Sequence, residues 1–225
     1  MTATITRVRN ATLLGIAGLG AAAALSIGPA HAAHAAQPVP VNPAATQAAP
    51  VNPAAPTSQA VAHVDGALQP NGYYCGPAAT RIALSAHGNP PSFDNLAGEL
   101  GTTRAGTQSI DEITRVLNQH TGDQYASVHL DGTTVSPEQT DKLRTDVIAS
   151  INDGDPVVAN IVGQVTDTHG ETHRYAGGHY LTITGYADNG NTVTITDPAD
   201  RHGGNTYQLP TDTAAGWMAT RGYTS

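Results

Sequence analysis

The hydrophobic patterns along this chain predict an α+β fold, an N-terminal helical layer packed on a C-terminal antiparallel sheet. Three observations carry that expectation. Between Cys75 and Asn152, apolar residues recur at helical spacing behind recognisable N-terminal caps. From Pro156 onward the apolar runs become short and β-branched, as strands require. Asn189-Gly190 lies between two of these runs and is a strong hairpin turn signal.

The chain begins differently. Arg7 and Arg9 precede the apolar run ATLLGIAGLGAAAALSIG, and Pro29-Ala30-His31-Ala32 ends in a small-x-small pattern. Residues 1–32 therefore read as a secretory signal peptide, with a retained N-terminal anchor as the alternative. Residues 33–60 repeat VNPAA at Val41 and Val51 and consist mainly of alanine and proline. Such a segment buries too little apolar surface to offset its ordering entropy, so it reads as a disordered linker or a propeptide. Residues 61–225 then form about one domain.

Within that domain, Cys75-Gly76-Pro77 opens a helical pattern carrying Ala79, Ile82, Ala83 and Ala86, with Gly88 as its stop. Ser92 caps a short helix ending at Gly101. Ser109 and Glu112 form a capping box before Ile110, Ile113 and Leu117. Gln124–Leu130 reads as a strand. Ser136, Pro137 and Gln139 start a helix running to about Asn152. PVVANIVGQV is a strand covered on both faces. HYLTITGY and TVTITD form a hairpin around Asp188–Asn191, NTYQLP adds a short strand, and TDTAAGWMAT a terminal helix.

Composition narrows the function. The net charge is -8 with histidines neutral, and Lys142 is the only lysine. No basic stripe exists, which excludes nucleic acid as an expected partner. Cys75 is the single cysteine, so it cannot form an internal disulfide. Its place at the mouth of a helix favours a reactive thiol, because unpaired N–H groups and the macrodipole stabilise a thiolate there. Gly76 is expected to leave room for a substrate carbonyl.

A thiolate nucleophile needs a base. His87 and His120 fall at helix ends, and His169 and His173 fall in THGETHRYAGG, which reads as a polar loop. His179 follows Gly177-Gly178 and opens an apolar strand. With Asn189-Gly190 at the turn, cross-strand partners sum to about 379, which sets Asp197 opposite Thr182 and Asp200 opposite His179. Asp197 near the open end of that hairpin is the expected orienter of the imidazole, and Asp200 its rival. Gln69, six residues before Cys75, could join the Cys75 N–H as an oxyanion donor.

QPNGYYCGPAA resembles the nucleophile segment of papain-like cysteine peptidases. DGDPVVANI, GGHYLTITGY, VTITDPAD and Trp217 are similar to the bacteriocin-leader-processing branch and its secreted stand-alone relatives, family thirty-nine of the cysteine peptidases. The resemblance spans about Leu68 to Trp217. It implies a papain-like fold, with Cys75 as nucleophile, His179 as base, Asp197 as orienter and Gln69 in the oxyanion hole. It implies no cofactor. The expected partner is a peptide or protein substrate, with no nucleic acid, no membrane after signal cleavage, and a monomeric chain outside the cell or at its wall.

Two features depart from that branch: no transporter accompanies the domain, and the loop before His179 is long and polar. Three other readings stay open on sequence. A cysteine acyltransferase or cell-wall amidase would use the same nucleophile chemistry. A binding module could keep the fold without turnover. His169 and His173 have the four-residue spacing of a zinc pair, although Glu171 does not fall where the HExxH order needs it.

Overall fold

A computed structural model describes residues 58–122, 125–200 and 205–225, all within one compact unit, Asn52–Ser225. The expected signal peptide at 1–32, and the expected linker as far as residue 57, lie outside the described residues. The fold is already under way at the linker's expected end. The Ser58 N–H donates to Asn189 Oδ1 at 2.7 Å, and β1 (Ala60–Val61) pairs with Tyr186 and Gly185.

The helices form where their caps predict. α1 (Cys75–Ser85) starts at Cys75 itself. α2 (Phe93–Glu99) is capped by the Ser92 side chain. α3 (Ile110–Thr121) carries the complete Ser109–Glu112 capping box and stops at Gly122 in the left-handed conformation. β2 (Ser127–His129) follows, and α4 (Pro137–Asp153) starts from a second capping box between Ser136 and Gln139.

The rest is mostly sheet: β3 (Val157–Thr166), β4 (Thr172–Ala187), β5 (Thr192–Thr196) and β6 (Thr206–Pro210), then α5 (Thr211–Trp217) and β7 (Gly222–Thr224). Every pairing is antiparallel, in the order β2-β7-β3-β4-β5-β6, with β1 also on β4. α1, α2 and α3 pack on one face through Ala79, Leu96 and Ile113, against Val158 and Tyr180. α4 and α5 cover the other face through Leu143, Val147 and Trp217, against Val157, Leu181 and Ile195. Hence β3 is buried on both faces over Val157–Ile161.

Two irregularities in β4 differ from the expected register, and both position the site. Near the turn the expected pairs hold, Ala187 with Thr192 and Gly185 with Thr194. Beyond Thr184 the register slips by one residue, so Thr182 faces Thr196 instead of Asp197. Side chains alternate with a period of two, so the expected register would have set Asp197 and His179 on opposite faces. The bulge brings both to the face of Leu181 and Ile183. The second irregularity lies between the pairs Ile161–His179 and Gly163–Tyr175, where β4 carries two more residues than β3. Tyr175 thereby reaches back over His179. The segment expected to be a polar loop is largely strand: β4 begins at Thr172, and His173 is buried within it.

Candidate active site

Cys75 occupies the first position of α1. Its N-cap is Tyr74, and no side chain caps this helix start. Pro77 has no N–H and the Ala78 N–H donates to Tyr74 O at 2.9 Å, so the N–H groups that can serve the thiol and cleft are those of Cys75 and Gly76. Gly76 serves a different purpose from the one expected. A Cβ there would stand 2.2 Å from Thr107 Oγ1, so the glycine admits the Thr107 loop against the helix mouth. Thr107 is held in turn by Thr102 Oγ1 at 2.7 Å.

His179 faces Cys75 from β4, close enough for the imidazole to lower the thiol pKa. Its Nε2 lies 2.7 Å from Asp197 Oδ1, which leaves Nδ1 as the ring nitrogen for Cys75. His179 is 4% exposed and Asp197 fully buried, so water cannot compete for this contact. Four donors surround the Asp197 carboxylate. His179 and the Ala199 N–H (2.9 Å) reach Oδ1, and the hydroxyls of Tyr175 (2.8 Å) and Tyr207 (2.9 Å) reach Oδ2. A carboxylate offers about four lone-pair sites, and all are used here.

The electrostatics follow from these contacts. Burial alone would raise the Cys75 thiol pKa. The hydrogen bond and charge of His179, with the backbone N–H groups of Tyr180 and Gly76, outweigh it and lower the value. Burial would likewise lower His179, yet its bonds to Asp197 and Cys75 hold it up at about 9. Burial opposes the ionised form of Asp197, but His179, the Ala199 N–H and Tyr175 keep its pKa below the usual value. Such a cluster can keep a thiolate beside an imidazolium near neutral pH.

Of the residues expected at the site, Cys75, His179 and Asp197 come together, and Asp197 rather than Asp200 holds the imidazole. Gln69 sits at the flank. Its backbone N–H donates to Pro198 O at 2.8 Å, tying it to the residue after Asp197. Its side-chain Nε2 donates to Asn71 O at 2.8 Å, while Oε1 is buried with no hydrogen-bond partner.

Tyr175 and Tyr207 were not foreseen. Tyr175 stacks on His179 with ring centroids 3.9 Å apart and lies 5.9 Å from Trp217. Neither tyrosine carries a local sequence signal, since their roles depend on the bulges of β4. A cleft of about 350 Å³ opens beside the thiol, lined by Thr107, Gln108, Asn160, Gly178 and Arg221 as well as Cys75 and His179.

Residues 54–225 match the Peptidase_C39 like family. Among solved structures, a candidate C39-like peptidase from Bacillus anthracis is similar, with a TM-score of 0.50 and 13% identity over 74% of this chain and 96% of that one. A double glycine motif protease from an AMS/PCAT transporter, solved with its leader peptide, gives a TM-score of 0.47 at 14% identity over 75% and 94%. The peptidase domain of Streptococcus ComA gives 0.46 at 17% identity over 72% and 96%. No curated protein matches the sequence. The family match covers most of the sequence and the whole of the described fold: the chain belongs to the Peptidase_C39 like family and is a cysteine peptidase with a papain-like α+β fold.

Proposed function

We propose that this is an exported peptidase that hydrolyses peptide bonds through a thioester acyl-enzyme on Cys75. One observation carries the reading. The thiol at the start of α1 faces an imidazole that lowers its pKa and whose Nε2 is fixed on a buried carboxylate. Export is supported by the charged start, apolar run and small-x-small ending of residues 1–32.

In the first half-reaction the Cys75 thiolate attacks the scissile carbonyl carbon, forming a C–S bond and an oxyanion. The Cys75 N–H faces that oxygen. Gln69 is the second donor, since its amide has a further N–H besides the one given to Asn71. The His179 imidazolium gives its Nδ1 proton to the departing amine as the C–N bond breaks. In the second half, neutral His179 takes a proton from water as the water oxygen attacks the thioester. The C–S bond breaks, Cys75 leaves as thiolate, and the acid product departs. Asp197 holds the ring in one tautomer and stabilises its charged form through both halves.

The test is a pH series of Cys75 alkylation by iodoacetamide, with adducts counted by mass spectrometry, beside the His179→Ala variant. Alkylation well below pH 7 that disappears without His179 is the expected result. Reaction only near the ordinary thiol pKa, about 8.5, in both proteins would overturn the reading.

A further inference from the structure

The cleft beside Cys75 has a cation in its wall. Arg221 lines the cavity, and neither Asp nor Glu does. Its guanidinium lies over Gly178, the residue before His179: a Cβ on Gly178 would stand 3.5 Å from Arg221 Nη2. Gly178 has φ +91°, a backbone conformation that side-chain-bearing residues rarely adopt. None of the ion pairs among the described residues includes Arg221. Among the other described cations, Lys142 meets Asp146, Arg144 meets Asp141, Arg115 donates to Glu99 O and Arg81 lies over the Phe93 ring, while Arg104 and Arg174, like Arg221, are in no ion pair.

The backbone around Arg221 is also held in an uncommon way. Thr220, directly before it, has φ 65°. A β-branched residue rarely takes that left-handed conformation, and it persists only where its surroundings impose it. The Arg221 N–H donates to Met218 O at 2.9 Å, and its carbonyl accepts from the Leu130 N–H at 3.1 Å. The turn between α5 and β7 is therefore fixed on both sides and sets Arg221 at the cleft wall.

We propose that Arg221 makes this part of the cleft a carboxylate receptor, so that the enzyme selects substrates with an acidic group close to the scissile bond. That group is an aspartate or glutamate side chain, or the carboxylate of a peptide's own C-terminus. A guanidinium matches either through paired N–H···O bonds. The proposal rests on the peptidase reading of the same cleft.

The experiment compares the wild-type chain with Arg221→Gln, Arg221→Lys and Arg221→Glu. A peptide mixture is digested, and the residues around each cut are scored by mass spectrometry. Acidic residues enriched about threefold to tenfold at one position are expected for an Arg–carboxylate contact in an open cleft. The enrichment should vanish in Arg221→Gln, partly survive in Arg221→Lys and invert toward basic residues in Arg221→Glu. C-terminally amidated copies of the peptides separate the sources: loss of cutting on amidation assigns the chain end, and unchanged cutting assigns a side chain. The proposal is overturned if neither acid enrichment nor loss of cutting on amidation is seen, or if either persists in Arg221→Gln.

A second readout needs no turnover. The rates of Cys75 alkylation by iodoacetyl-glutamate amide and iodoacetyl-glutamine amide are compared in each protein. A charged-to-neutral rate ratio that falls about threefold in Arg221→Gln supports the carboxylate site. An unchanged ratio overturns it. If peptides stay uncut while the ratio falls, the peptidase reading fails and the carboxylate site stands.

Discussion

Strand β4 carries two buried histidines, each paired with an aspartate and each stacked on a tyrosine. His179 meets Asp197 at 2.7 Å and stacks on Tyr175 at 3.9 Å. His173 meets Asp167 at 3.2 Å and stacks on Tyr207 at 3.7 Å. The aspartates differ in what else they do. Asp167 Oδ1 accepts from the N–H groups of His169 (2.8 Å) and Glu171 (2.9 Å), so it closes a turn. Asp197 instead collects two phenol hydroxyls on its second oxygen. The histidines differ in what faces them. His179 has a thiol at a helix mouth; among the described residues His173 has only its aspartate and a tyrosine ring. A His–Asp pair is thus not a signature of chemistry. A nucleophile on the imidazole's free side is what separates the two.

The largest effect expected from this contrast comes from removing each histidine in turn. His179→Ala should lower kcat/KM by on the order of a thousandfold or more, as loss of a general base does, and should also lower the thermal midpoint because Asp197 loses a buried partner. His173→Ala should affect stability alone. It leaves Asp167 without its side-chain partner and uncovers Tyr207, costing about 2 kcal/mol of stability. Activity should stay within about threefold, since no reacting atom is touched. Comparable activity losses in both variants would mean that the second pair also takes part in turnover.

The aspartates give the next effect. Asp197→Asn keeps an acceptor for His179 and the Ala199 N–H but removes the charge. Burial of the imidazole is then opposed by less, so the His179 pKa falls from about 9. The imidazolium is lost at lower pH and the alkaline limb of the pH–rate profile moves down. The thiolate loses part of its counter-charge and the acidic limb moves up. The profile narrows from both sides, and its limbs report the coupled pair rather than single groups. Activity at the optimum should drop by about tenfold to a hundredfold. Asp167→Asn keeps the turn acceptor and should cost about 1 kcal/mol, with the pH profile unchanged. A profile that shifts in Asp167→Asn would break the distinction.

The contrast also shows what the sequence could carry. The capping boxes at Ser109 and Ser136 set α3 and α4 to within a residue, because a cap is a local contact readable from neighbouring positions. Cys75 was legible for the same reason. β1 and β7 were not, because two or three residues become strand only when a distant partner offers its edge. Asp197 was named from a register that would have turned it away from His179, and the bulge at Thr184 made the pairing good. His173 looked like a loop residue because Thr172–Gly178 is polar; only the facing half of β3 makes it a strand. Gly76 was expected to face substrate, and the Thr107 loop that fills its space lies more than one helix away in sequence.

Tyr207 is where the two pairs join, and its variant gives the smallest effect. The ring covers His173, and the hydroxyl donates to Asp197 Oδ2 at 2.9 Å. Tyr207→Phe keeps the ring and removes only the hydroxyl, so His173 and Asp167 are undisturbed. Asp197 retains Tyr175, Ala199 and His179, three of its four donors. A buried hydrogen bond to a charged acceptor contributes about 1.5 kcal/mol, and here the loss falls on the ionised form. The Asp197 carboxylate becomes slightly easier to protonate and holds the imidazolium slightly less well. We expect kcat/KM to fall about threefold, with the alkaline limb moving down by a fraction of a pH unit and the thermal midpoint falling by a few degrees. If the midpoint falls while the limb stays fixed, the Tyr207 hydroxyl supports the fold and does not tune the His179–Asp197 pair. If both move, one phenol supports a structural pair with its face and the site pair with its edge.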